Sequence, residues 1–228
     1  MKRSEINAIL READAFIRSH GFALPPFARW TPDEMAARVA DDSAQIRDRS
    51  LGWDVTDYGQ GRYDELGLFL FTLRNGEQAN VARGRGMLYA EKLLISGDGQ
   101  VSPMHRHVFK TEDIINRGGA TLVLELFAAA PDGSIDAAAE VAVWTDGCRR
   151  TLPAGGHLRL APGQSVTLEP SVWHAFWGEG GRVLIGEVSN VNDDRTDNIF
   201  RDPIGRFSEV EEDEAPLHLL VSDYEAWL

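Results

Sequence analysis

The chain opens on a helical periodicity. Ile6, Ile9, Leu10, Ala13, Phe16 and Ile17 recur at the spacing of one helix face, with Ser4 placed to cap the start and Gly21 to end it before Pro25-Pro26. A second helix is predicted from Thr31: threonine caps, Pro32 suits the first helical position and Glu34 completes a capping box. It carries Met35, Val39 and Ile46, and the helical pattern fades after Asp48. From about residue 66 the period shortens. Apolar or alternating runs predict strands at Leu66–Leu73, Met87–Ile95, Pro103–Phe109, Glu112–Asn116, Thr121–Ala128, Glu140–Trp144, His157–Leu160, Gln164–Leu168, Val172–Trp177 and Arg182–Val188. Turn residues separate them: Gly97-Asp98-Gly99, Gly118-Gly119, Pro131-Asp132-Gly133, Asp146-Gly147, Pro162-Gly163 and Gly180-Gly181. Many short strands with regular turns predict a β-sandwich or barrel. The last forty residues are polar and acidic but close on Leu217, Leu219, Leu220, Val221, Tyr224 and Trp227, which are expected to fold back onto the barrel. With no internal repeat and no low-complexity linker, the expectation is a single domain over 1–228: a helical extension at 1–50, a barrel at 66–190 and a packing segment at 191–228.

Composition narrows the class. At 228 residues with 43% hydrophobic positions the chain can bury a sizeable core, and all-β barrels of roughly 200–250 residues form one domain. One cysteine excludes an internal disulfide framework and any cysteine-based zinc cluster. With 36 acidic against 23 basic residues the formal charge is −13, which disfavours nucleic acid and anionic membrane surfaces. No window approaches the ~18 consecutive apolar residues of a membrane span. The N-terminus lacks the apolar run of a signal peptide, so a soluble cytoplasmic protein is expected.

The stretch carrying chemistry is Gly99–Gly119, GQVSPMHRHVFKTEDIINRGG. His105 and His107 are two apart, so on a strand both imidazoles point to one face. Glu112 follows, and a turn between two strands can return its carboxylate to the same cavity. His174 sits in the later EPSVWHAFWG. Three imidazoles and one carboxylate form a donor set for a borderline divalent metal, with positions left for water or substrate. Ligand type alone does not choose among Mn, Fe, Co, Ni and Zn. An isolated His-x-His pair is a weak signal; the fuller pattern is glycine, five residues, His-x-His, four residues, glutamate, six residues, glycine. His20, His157 and His218 lack such surroundings and are read as structural or solvated.

The Gly99–Gly119 stretch resembles the first cupin motif at every defining position. Gly156–His174 resembles the second more loosely, with Pro170 and His174 in place, Val172 where a glycine is usual, and Gly178 where asparagine is frequent. The resemblance implies a mainly β fold, the cupin double-stranded β-helix or jelly-roll barrel, with an N-terminal helical extension and a metal in its mouth. Cupins host many reactions. PMHRHVFKTEDIINRGG, PSVWHAFWGEGG and GEVSNVNDDRTDNIFRDPIGRFSEVEEDEAP, with KRSEINAILREADAFI and LVSDYEAWL at the ends, resemble the D-lyxose isomerase family of cupin sugar isomerases. That resemblance implies interconversion of D-lyxose with D-xylulose, and of D-mannose with D-fructose, through a cis-enediol. It further implies one divalent ion per chain, manganese preferred, on His105, His107, Glu112 and His174.

Such a reaction needs a base and stabilisation of an enediolate. Lys110, two residues before Glu112, shares its face in extended backbone and is the expected catalytic ammonium; Lys92 is a second lysine for the cavity. The resemblance points to the acidic run after the barrel for the base, with Glu211 favoured over Glu209 and Glu212, although such runs are usually solvated faces. Glu187 is expected to face the cavity as a substrate or supporting residue. In the run Asn190–Arg195, Asp193 is assigned to sugar hydroxyls, with Asp194 as the alternative. Phe176 has the parity of His174 and is expected to wall the cavity; Trp173 and Arg106 have the opposite parity and are left out. The competing readings are an Fe(II)-dependent cupin dioxygenase, a non-catalytic sugar-binding cupin and a phosphosugar isomerase. The expected partners are a small sugar and, from the frequency of two-fold assemblies, a second copy in a homodimer.

Overall fold

The computed structural model describes residues 1–194 and 196–228. Three helices come first: α1 (Arg3–Ser19), α2 (Pro32–Asp41) and the single turn α3 (Gln45–Asp48). Among the described residues twelve strands follow: β1 (Gly52–Thr56), β2 (Leu68–Asn75), β3 (Tyr89–Ser96), β4 (Ser102–His107), β5 (Glu112–Ala129), β6 (Ile135–Asp136), β7 (Val141–Thr145), β8 (Cys148–Leu152), β9 (Gly156–Leu160), β10 (Ser165–Leu168), β11 (Val172–Asn190) and β12 (Asn198–Phe200). Short helical turns lie at Gln78–Val81 and Tyr224–Trp227. All named strand pairs are antiparallel, and the main path runs β1-β2-β3-β11-β5-β10-β7-β8, with β4 joining β11 to β12 and with β6 and β9 on β5. Among the described residues no helix is long and apolar enough to cross a membrane.

The two long strands make the barrel. The first half of β11 pairs with β4 and the second half of β5, while its second half pairs with β3 and the first half of β5. Gly118-Gly119 and Gly180-Gly181, read in the sequence as turns between separate strands, are instead bends at which both strands continue. The β5/β11 register shifts between Glu179 and Val183. Gly119 has φ +93°, and a Cβ there would lie 2.3 Å from the Arg182 carbonyl oxygen, so only glycine allows the strands to cross so closely.

Alternation along β2 explains the two large cores. Leu68 and Leu70 point into the barrel with Leu94, Ile114, Leu124 and Ile185. Phe69 and Phe71 point outward, yet they are equally buried, because Ile6, Leu10, Ala13 and Ile17 of α1 cover them together with Trp53 and Leu93. The capping box of α2 forms as expected, Thr31 Oγ1 accepting from the Glu34 amide. Ile46, expected on that helix, lies on α3. Helix α1 begins earlier than expected. Lys2 is its cap and Ser4 lies within the helix, because the carboxylate of Asp213 accepts from the Ser4 amide and hydroxyl. The strands β1, β6, β8 and β12 are not among those the sequence predicts. The closing segment returns to the body: Leu220 joins the core under α1, and Leu219 and Tyr224 pack on Met35, Val39 and Ile46, whereas Trp227 stays exposed.

Candidate active site and metal centre

Strand β4 presents His105 and His107 on one face, β5 begins with Glu112, and β11 brings His174 opposite His105 in register. Each imidazole is oriented by a backbone carbonyl. Nδ1 of His105 lies 2.7 Å from the Pro103 oxygen, Nδ1 of His174 3.0 Å from that of Val172, and Nδ1 of His107 3.2 Å from that of Asp197. These bonds place the proton on Nδ1 and leave the Nε2 lone pairs for the centre. One ligating nitrogen from each ring lies within 4.8 Å of the others. The buried Nε2 atoms of His107 and His174 have no hydrogen-bond partner, yet Glu112 Oε1 stands 3.3 and 3.2 Å from them. Acceptors facing one another at that range need a cation or a proton between them. Burial, then the neighbouring charges, pushes His105 and His107 below their ordinary range, so a proton is disfavoured. The three imidazoles therefore fit a divalent metal, and the Glu112 carboxylate stands beside two of them.

The turn joining His107 to Glu112 is held by Asp197, which the sequence reading passed over. Its carboxylate accepts from the amides of Val108 and Phe109 at 2.9 Å and of Lys110 at 3.0 Å. This carboxylate directs Lys110 inward. Nζ of Lys110 lies 2.7 Å from Glu112 Oε2 and 2.9 Å from Glu187 Oε1. Lys92 Nζ is 3.7 Å from the same Glu187 oxygen and 3.1 Å from Asp194, and Arg206 Nη2 is 3.5 Å from Asp194 and 2.8 Å from Asp54. Seven buried or nearly buried charges thus alternate in sign across the barrel. Burial alone would discharge Lys110, but Glu112, Glu187 and Asp194 outweigh it and hold the ammonium above its ordinary value. Burial likewise opposes ionisation of Glu112 and Asp194; Lys110 keeps the first well below the carboxylate range, and Lys92 with Arg206 does so for the second. Burial prevails over Arg206 at Asp54 and pushes its carboxyl upward.

These residues surround a cavity of about 40 Å³, which Tyr58, Leu68, Phe176 and Phe200 also line. Lys92, Lys110, Glu187 and Phe176 line it, as do His105, His107 and Glu112, whereas His174 stands behind the lining, 3.2 Å from Glu112. Asp193 does not. Its carboxylate turns to Thr196 and lines an adjoining cleft of about 740 Å³, which Asp194 and Arg206 also border, while Asp194 reaches the cavity because the next residue of the loop points the other way. Arg195, the last residue of that run, lies outside the described residues.

Glu211 is also displaced from the cavity. It is exposed, and its backbone pairs with Lys2, bonding Met1 and Arg3. The whole acidic run serves α1: Glu212 pairs with buried Arg3, Asp213 caps Ser4, and the Glu209 carbonyl accepts from the N-terminal ammonium. The reason is tertiary, since a basic residue buried at the start of α1 needs carboxylates, and the closing segment supplies them. Arg206, Tyr58, Asn198 and Phe200 were missed as cavity residues; the segment holding three of them carries part of the family resemblance, but nothing in its local pattern singles out these side chains. Trp173 packs in a small core, and Arg106 lies over its ring, away from the cavity.

Comparison with known proteins agrees with this architecture. The D-lyxose isomerase family model matches residues 1–224. A D-lyxose/D-mannose isomerase of Serratia proteamaculans is 46% identical over 227 residues, covering 98% of each chain; one of Escherichia coli O157:H7 is 44% identical over 228, again with 98% of each. Among solved structures, an L-ribose isomerase of Acinetobacter sp. DL28 in complex with L-ribose superposes with a TM-score of 0.61 at 16% identity, and that of Cellulomonas parahominis with L-psicose at 0.60 and 18%. In both cases 92% of this chain and 98% of the other are covered. At such identity these neighbours speak for the fold, a cupin-like jelly roll. The matches along the full chain identify it as a member of the D-lyxose isomerase family, a sugar isomerase of the aldose–ketose class.

Proposed function

We propose that the enzyme interconverts D-lyxose and D-xylulose, and D-mannose and D-fructose, with a divalent ion, manganese preferred, on His105, His107, Glu112 and His174. The observation carrying this reading is the set of oriented imidazoles and Glu112 beside a row of paired lysines and carboxylates. The names of the relatives support the choice of sugars. A lining so charged suits a polyol and disfavours the apolar substrate expected of a dioxygenase. When bound, the metal supplies Lewis-acid polarisation of the substrate's carbonyl and neighbouring hydroxyl oxygens.

The chain's own residues account for the proton movements. Both lysines reach Oε1 of Glu187, so Oε2 is the oxygen available to a substrate proton. Glu187 takes the place in this scheme that Glu211 cannot fill: it removes the proton from C2 of the aldose and returns one to C1. Lys110, between Glu112 and Glu187, stabilises the negative charge that develops on oxygen and passes the second proton from O2 to O1. Phe176 and Phe200 exclude water from the enediol. A homodimer is the proposed assembly, with light-scattering mass as its check.

The test is proton NMR of manganese-loaded protein with D-lyxose in D₂O, beside a chelator-stripped control. Metal-dependent D-xylulose carrying deuterium at C1 is the expected result. If no aldose in a panel including D-mannose reacts, while iron-loaded protein consumes oxygen with another substrate, the reading is wrong.

A further inference from the structure

We propose that Arg206 binds the hydroxyl at the end of the sugar remote from the carbonyl group, making that hydroxyl a determinant of specificity. The inference rests on an aldose being the substrate. In the alternating row of charges, Glu112 and Glu187 stand at the end where C1 and C2 react, and Arg206 stands beyond Lys92 and Asp194. Carbons from C3 onward therefore extend toward Arg206, which lines the same cavity.

Two features mark that end as built for a ligand. The first is an unused donor. Arg206 is 10% exposed, and its Nη2 is engaged by Asp54 and Asp194, but its buried Nη1 has no partner among the described residues. A buried N–H without an acceptor is costly, and a sugar hydroxyl oxygen would satisfy it. The guanidinium is fixed before any ligand arrives: it lies 4.9 Å from the Phe207 ring centroid, and the Arg206 carbonyl accepts from Thr56 Oγ1 at 2.9 Å. Two flanking carboxylates balance its charge, which suits a neutral hydroxyl rather than a phosphate.

The second feature is strain. Tyr58 lines the cavity with φ +55°, a conformation that a bulky residue rarely adopts. Its surroundings enforce it: the Asp57 carboxylate accepts from the amides of Gly59 and Gly61, and the Tyr58 amide donates to Thr56 Oγ1. The phenol is thereby held on Ser102 Oγ at 3.1 Å and against Phe200. Backbone strain of this kind persists where a side chain must be delivered to a site. Thr56 braces both Tyr58 and Arg206, so the loop and the arginine form one wall.

A substrate-truncation cycle tests this. The kcat/KM of D-lyxose and of 5-deoxy-D-lyxose is measured for the wild type, Arg206→Lys and Arg206→Met. The fraction of folded protein cancels in the ratio of the two sugars within each protein, and the difference in sugar ring form cancels when that ratio is compared between proteins. The wild type should prefer the complete sugar by roughly 10–100-fold, the worth of a hydrogen bond to a charged donor. The preference should fall to within about threefold in Arg206→Met and stay intermediate in Arg206→Lys. A wild type that treats both sugars alike, or a preference that survives in Arg206→Met, overturns the assignment while leaving the isomerase reading intact. A wild type that isomerises no aldose overturns both.

Discussion

Exchanging Glu187 for Gln keeps the shape of the side chain and removes its charge. The cost to folding can be bounded from its contacts. Glu187 is 4% exposed, with Oε1 2.9 Å from Lys110 and 3.7 Å from Lys92. Breaking a buried ion pair outright costs about 3–5 kcal/mol. Here the amide oxygen can still accept from Lys110, while Glu112 at 2.7 Å and Asp194 at 3.1 Å continue to balance the two ammoniums. The expected loss of stability is accordingly smaller, about 1–3 kcal/mol. Loss of a general base should slow proton transfer by about 10²–10⁴, equivalent to about 3–5 kcal/mol in the barrier at ~1.36 kcal/mol per tenfold. The catalytic effect should therefore exceed the structural one. Solvent-deuterium incorporation into D-lyxose and D-xylulose, followed by NMR, reads the chemical step; metal content and a urea melt on the same preparation read site assembly and folding. Deuterium exchange within threefold of wild type with metal bound would show that Glu187 is not the base. Loss of metal in parallel with activity would equally refute the argument, because Glu187 is assigned to the substrate and not to the ion.

Three other outcomes are expected. Manganese at a hundredfold excess over its Kd should stabilise chelator-stripped protein by about 2.7 kcal/mol, raising Tm by about 5–10 °C, and His107→Ala should abolish the rise; a Tm indifferent to manganese, zinc and cobalt contradicts the metal centre. Burial pushes Asp57 up, but the Ser208 hydroxyl and the amides of Gly59 and Gly61 outweigh it and hold the carboxyl below its ordinary value. Because its folded value lies below the unfolded one, its stabilisation is full above ~3.9 and is lost as pH falls through the folded value, so Asp57→Asn should flatten the dependence of urea stability on pH below about 4; equal slopes refute this. Phe71, fully buried between Phe27 and Trp53 with ring centroids at 5.5 and 4.8 Å, should cost about 3–5 kcal/mol when replaced by Ala; a loss under ~1 kcal/mol in denaturant melts would mean that α1 does not seal this face.

Local chemistry was legible wherever a residue and its partners lie within a few positions. The Thr31–Glu34 capping box, the shared face of His105 and His107, and the parity that puts Phe176 in the cavity and Trp173 outside it all follow from backbone period. The same reasoning brought Lys92, Lys110 and Glu187 to the cavity, since strand parity constrains them. It failed where position depends on contacts far along the chain. Asp193 and Asp194 are neighbours in a loop without a fixed period; the first turns locally to Thr196, and the second is drawn inward by Lys92, a hundred positions earlier.

The acidic run at Glu209–Glu214 shows the same division. Its composition reads equally well as a lid over a site or a collar on a helix, and the buried guanidinium of Arg3, more than two hundred positions away, decides for the collar. The β1 strand went unrecognised because its alternation, Trp53-Asp54-Val55-Thr56, spans only four residues, and its polar face is buried through partners far along the chain, Arg206 for Asp54 among them. By itself the sequence determined the class of fold and the strand positions of the histidines and lysines around the cavity, because these depend on side-chain chemistry and a two-residue period. Only the tertiary structure decided which carboxylates meet the cavity and that Arg206 lines it, because such pairings are settled by burial and charge balance between segments that no local pattern connects.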